Sequence, residues 1–125
     1  MVKTLISIFI TLGLLVGISA YELYHVKETF AIFHEALESL YYKTENERAS
    51  HEDGKIVRKI WVREKRDLHI WIPHTIIENI DYQLNELLGY LYEYDYQDAL
   101  PKIEILLEIS EFIPQTYSLS LENIL

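Results

Sequence analysis

The sequence predicts an all-α protein, in which an N-terminal transmembrane helix continues into a small antiparallel helical bundle of about four helices. Three observations carry that expectation. Residues Thr4 to Tyr21 contain no charge. Two later segments repeat apolar residues at alternating spacings of three and four, the period of a helix face. Only three Pro and four Gly occur in 125 residues, two of those Gly inside the uncharged segment, which leaves too few turn formers for a β fold.

The uncharged segment comes first. As a helix it reaches about 27 Å, close to the roughly 30 Å hydrocarbon core of a bilayer. Lys3 before it favours a single pass through the cell membrane, with the N-terminus inside and the bulk of the chain extracytoplasmic. The same residues also fit a signal peptide, with Gly17-Ile18-Ser19 as a small-x-small cleavage site. Gly13 and Gly17 form a G-x-x-x-G pair near the face of Ala20, the spacing that lets two membrane helices approach closely, so homodimerisation through this helix is an expected partnership. The division is residues 1–21 as anchor and 22–125 as bundle.

From Leu23 the apolar residues fall at Val26, Phe30, Phe33, Leu37 and Leu40, predicting a first bundle helix to about Lys43. Traced backward, this stripe meets Ser19, Val16, Leu12, Phe9 and Leu5 with no intervening breaker. One long helix is therefore expected to leave the membrane and enter the bundle, which favours a retained anchor over a cleaved signal. Thr44 to Gly54 is polar and reads as a connection with two capping spacings, Thr44 with Glu47 and, poorer, Ser50 with Asp53. The second helix is expected over roughly Lys55 to Ile72, with Val57, Ile60, Trp61, Leu68 and Trp71 inward and Pro73 as the stop.

Thr75 with Glu78 reads as the capping box of the third helix, whose stripe is Ile77, Ile80, Leu84, Leu87, Leu91 and Tyr94. Gly89 inside it suggests a close helix contact. Tyr90, Tyr92, Tyr94 and Tyr96 alternate as in a strand, but the longer heptad pattern outweighs them. Asp95 or Asp98 caps the fourth helix, and with Asp98 as cap Pro101 falls harmlessly in the first turn. Ile103, Ile105, Leu106, Leu107, Ile109, Phe112 and Ile113 cover most of its circumference, so it should be the most buried helix, ended by Pro114. Ser118 to Leu125 reads as a short tail packed on the bundle. The pattern leaves open whether the helices form one bundle or two stacked hairpins.

The run Trp61…Trp71-Ile72-Pro73-His74, then Ile77-Glu78-Asn79-Ile80, Leu91, Asp95, Ala99-Leu100 and the ending Leu119-Ser120-Leu121-Glu122-Asn123-Ile124-Leu125 resembles domain-of-unknown-function family 4363, over Trp61 to Leu125. The family comprises small membrane-anchored helical proteins of spore-forming Gram-positive bacteria. The resemblance implies the anchored topology and an integral membrane protein as partner, and it supplies no chemistry.

The net charge of −9 argues against nucleic acid as a partner. The absence of Cys removes disulfides, thiolate catalysis and Cys-based zinc sites. Glu22-x-x-His25 is the lone Glu-x-x-His, where a di-iron bundle needs two. His34 with Glu38 and His74 with Glu78 have helical spacing, but such pairs arise by chance among 20 acids, so no metal or other cofactor is expected. His74, next to Pro73, is the best single polar candidate and reads as structural. No Ser sits in a Gly-rich elbow and no phosphate-binding Gly loop occurs, so the chain reads as a non-enzyme. Lys55, Lys59, Arg63 and Arg66 share one helix face. They are expected to pair with acids such as Glu104, Glu108 and Glu111, to stay solvated, or to dock anionic headgroups, anionic polymers or an acidic loop of a partner.

Two functions follow: a membrane-anchored interaction or accessory subunit of a membrane assembly, or an exported domain that binds a small ligand between Trp61, Trp71 and the Tyr cluster.

Overall fold

The computed structural model describes the backbone of residues 1–66, 68 and 72–124, with side chains as far as Thr116. It contains four helices: α1 (Val2–Glu45), α2 (His51–Lys65), α3 (His74–Tyr92) and α4 (Tyr96–Ile124). Trp71 and the side-chain packing of Ser118 to Leu125 lie outside the described residues.

α1 is one uninterrupted helix of 44 residues, about 66 Å long. Its two parts differ in what surrounds them. Val26, Phe30, Phe33, Leu37 and Leu40 are buried, as the stripe requires, whereas the side chains from Val2 to Ile18 are exposed. α1 ends in a Schellman turn. Arg48 N–H reaches Lys43 O at 2.8 Å and Glu47 N–H reaches Thr44 O at 3.1 Å. Glu47 occupies the left-handed position, with φ 56°. Thr44 donates back to Leu40 O at 2.7 Å, so the Thr44/Glu47 capping box does not form.

Ser50 caps α2 instead. Its side chain accepts from Asp53 N–H, and Asp53 accepts from Ser50 N–H at 2.9 Å, a closed capping box. α2 therefore starts four residues before the expected Lys55. It also stops at Lys65 rather than Ile72, because a helix carried to Pro73 would leave nothing to cross to α3. Leu68 and Ile72 are buried in that crossing. The close contact expected at Gly89 occurs at Gly54, where a Cβ would lie 2.8 Å from Leu91 Cδ1; around Gly89 nothing lies within 4 Å. Gly89→Ala is accordingly expected to stabilise the bundle by about 0.5–1 kcal/mol, read from thermal unfolding.

α3 opens on Pro73, whose carbonyl accepts from Ile76 at 3.0 Å and Ile77 at 3.4 Å. This start puts Thr75 inside the first turn, and the Thr75/Glu78 box does not form. α3 ends in a second Schellman turn, Asp95 N–H to Tyr90 O at 2.8 Å, with Tyr94 left-handed at φ 57°. A side chain in that conformation costs roughly 1 kcal/mol or more relative to Gly. Tyr94 thus leaves the stripe of α3 and becomes exposed.

Asp95 caps α4, accepting from Asp98 N–H at 3.2 Å. Pro101 then lies beyond the first turn, and Pro114 does not end the helix, which runs through both to Ile124. Each Pro forfeits one backbone hydrogen bond, and the helix continues past both. The separate tail is thus the last part of α4.

The contacts settle the arrangement. α1 touches α2 and α4, and α3 touches the same two, while α1–α3 and α2–α4 lie across the diagonals. This is a single up-down-up-down four-helix bundle with short distal connections. α4 has two neighbours, as every helix of the bundle does, and its outer side stays open, leaving Phe112 64% and Ile105 39% exposed. The expectation that α4 is the most buried helix fails for that reason. The α1–α4 register runs from Tyr41 with Glu104, through His34 with Ser110, to Ala31 with Pro114. Continued, it brings Ile124 beside Ala20 and Tyr21, so the bundle's base lies at the end of the uncharged segment.

Candidate interaction surfaces

Trp61 is fully buried, stacked 4.8 Å from Phe33 and 5.9 Å from Phe30, and its indole N–H donates to Asp81 at 2.7 Å. Tyr92, Tyr94 and Tyr96 lie at and beyond the end of α3, more than ten residues along from Asp81, the α3 partner of Trp61. Trp61 and the Tyr cluster therefore do not converge on one cavity.

The largest described concavity is an open groove of about 780 Å³ between α1 and α4, floored by Phe30, Ala31 and Pro114. A polar chain crosses it. Ser110 donates to Leu107 O at 2.7 Å and meets His34 Nδ1 at 2.6 Å, and His34 Nε2 meets Glu38 at 2.9 Å, with Glu111 at 3.7 Å. The sequence paired His34 with Glu38. It gave no hint of Ser110, which lies 76 residues away and is reached only through the bundle pairing. The trio has the residue types of an acyl-transfer site without its geometry. Ser110 is 3% exposed and sits mid-helix, where backbone N–H groups are consumed by the helix rather than aimed at an oxyanion. It ties α1 to α4. His74 and Glu78 are exposed and 3.5 Å apart. Among the described residues no three His, Asp or Glu side chains are grouped to hold a metal ion.

The basic face of α2 looks outward. Lys55 pairs with Glu52 at 3.2 Å and Arg63 with Glu64 at 3.3 Å, while Lys59 and Arg66 are exposed with no ion pair among the described residues. Glu104, Glu108 and Glu111 cannot neutralise this face, because α4 lies across the diagonal. Lys65 and Arg58 turn the other way, to Asp81 and Asn85 on α3. The α1–α2 register, set by Lys43 with Asp53 and Phe33 with Trp61, places Arg66 about 10 Å and Lys55 about 30 Å beyond Tyr21. The face is thus a stripe running up the bundle, with its Arg66 end nearest the uncharged segment.

Two ion pairs shape the pH response. Burial raises the Asp53 carboxyl, but the Ser50 backbone N–H, the Lys43 ammonium and the Ser50 hydroxyl together hold it below its ordinary value. Lys102, bonded to Glu86, holds that carboxyl below 4.5 with help from Tyr82, and Glu86 in turn raises Lys102 above 10.5. The depressed Glu86 contributes stability above pH 4.5 that is lost as pH falls through its folded value. The raised Lys102 contributes below pH 10.5 and loses its contribution as pH rises through its own. Lys102→Met is expected to lower the neutral plateau of a stability–pH profile slightly and to flatten both limbs, measured by chemical denaturation, because the contribution it removes is present only between them.

Gly13 and Gly17 sit on the free part of α1 with open space around them. That part is long and apolar enough to cross a membrane, and none of its most apolar stretch is buried by the bundle. A domain of unknown function, DUF4363, matches residues 18–124. The chain belongs to the DUF4363 family. The DUF4363 match takes in the end of the uncharged segment, all of the first bundle helix and the polar connection, well beyond the stretch from Trp61 that carries the sequence resemblance. The unit shared with DUF4363 thus begins inside α1 and ends with α4. No curated protein and no solved structure matches the chain.

Proposed function

We propose that the protein is a single-pass, non-enzymatic subunit of a cell-membrane assembly, with the bundle extracytoplasmic and held upright at the membrane surface. One observation carries this reading: the same unbroken helix supplies an exposed apolar span and the longest wall of the core. Leu5, Phe9, Ile10 and Leu14 cover the free half of α1 with apolar surface that no part of the bundle shields, and a lipid environment removes that cost. A cut after Gly17-Ile18-Ser19 would fall inside this helix, which argues for retention. Lys3 supports the N-terminus-inside orientation.

Within the reading, Lys55, Lys59, Arg63 and Arg66 receive an acidic segment of an integral membrane partner, and Gly13 with Gly17 pair two copies in the bilayer. The test is co-isolation from mild detergent followed by cross-linking. Reversal of the four basic residues to Glu is expected to remove the partner while the bundle still unfolds cooperatively. An unchanged set of cross-linked membrane proteins would exclude the basic face. Gly13→Leu with Gly17→Leu should abolish cross-linked dimers, and an undiminished dimer yield would rule out that pairing.

A further inference from the structure

Both connections at the membrane-distal end put a bulky residue where glycine is the ordinary occupant. Glu47 and Tyr94 have φ of 56° and 57°, and neither side chain is buried. Glu47 is exposed, and Tyr94 is 69% exposed. The two connections also meet. Tyr96 donates its hydroxyl to Ala49 O at 3.2 Å. Tyr94 stands edge-on to Tyr96 at 6.5 Å, and Tyr92, 71% exposed, stands edge-on to His51 at 5.3 Å. The alternating tyrosines therefore form a ribbon across the tip, flanked by the exposed carboxylates of Glu47 and Glu93.

Strained backbone persists where a side chain earns its position, and here the side chains point out of the fold. We propose that this tip docks a cationic segment of a partner protein. The inference rests on the reading of the chain as a membrane-assembly subunit and adds which surface is used and the charge of what it holds. Exposed tyrosine faces beside carboxylates suit Arg and Lys, through cation–π contact and charge-assisted hydrogen bonds. Glu47 and Glu93 have no ion pair among the described residues, so their charge is available to a partner. A second copy is a poor occupant, because anchored in the same membrane it presents its basic α2 stripe below the tip.

The test uses the full-length chain in micelles, amide NMR, and short synthetic peptides of cationic, neutral and anionic net charge. Only the cationic peptide is expected to shift the amides of residues 92–97. Tyr94→Gly is expected to weaken that binding about tenfold, as loss of an aromatic anchor does, while raising the melting temperature by relieving the left-handed strain. Tyr94→Phe should bind within about twofold of the parent. Cationic shifts scattered over the acidic surface, or unchanged affinity in Tyr94→Gly, would overturn the proposal. Neither result would touch the membrane anchoring, which separate measurements decide.

Discussion

Trp61→Ala is expected to remove about 3–5 kcal/mol from the stability of the bundle, measured by thermal or denaturant unfolding in mild detergent. Trp61 is the largest fully buried side chain among the described residues; it is carried on α2, packs on Phe30 and Phe33 of α1 and bonds Asp81 of α3. Truncation leaves a void walled by two rigid aromatic rings, which collapse poorly into it. The Asp81 carboxylate loses the indole N–H but keeps the Lys65 ammonium, at 3.0 Å. The loss is therefore mainly one of packing. Trp61→Phe separates the two contributions, since it keeps an aromatic in place and should cost far less. A small domain has only about 5–15 kcal/mol in total, so Trp61→Ala should bring the bundle close to unfolding at physiological temperature. A loss under about 1 kcal/mol would show that Trp61 is not central to the core.

Leu12→Arg has the second large expected effect. Leu12 lies near the middle of the uncharged segment, and placing Arg there costs about 2.5–3.5 kcal/mol of insertion free energy, plus the favourable contribution of the Leu it replaces. The insertion equilibrium constant should fall by roughly a hundredfold or more, read as a loss of protein resisting carbonate extraction. The bundle itself should unfold at the same temperature, because Leu12 is exposed and lies outside the core. Equal membrane retention would mean that the segment is not what holds the protein there.

The heptad stripes of α1 and α3 were legible because each residue's burial follows from its position on one helix face. Val26, Phe30, Phe33, Leu37 and Leu40, and Ile77, Ile80, Leu84, Leu87 and Leu91, all face the core. The continuity of α1 across Tyr21 was legible for the same reason. The helix ends were less so. Ser50 with Asp53 looked the poorer capping box, but α1 terminates through Glu47 in a left-handed turn, a position that sequence rules reserve for Gly. Pro114 carries a strong local stop signal, yet the helix continues through it. The all-round apolar character of α4 suggested full burial, but only the bundle topology could show that its outer side has no neighbour.

The candidate surfaces divide in the same way. The basic face was readable as helical spacing, yet its lack of acidic neighbours on α4 needed the diagonal placement of α2 and α4. The Tyr alternation was visible as a pattern without meaning until Tyr94 appeared in a turn rather than on a stripe. The His34–Ser110 tie joins residues from opposite ends of the bundle sequence, a pairing that no local spacing encodes.

The central claim is that one helix is both the membrane anchor and a wall of the bundle. It is tested most directly by mass spectrometry of the protein recovered from carbonate-washed membranes. A membrane-bound chain that still contains residues 4–21 is expected. A chain beginning near Ala20 and recovered in the soluble fraction would contradict it.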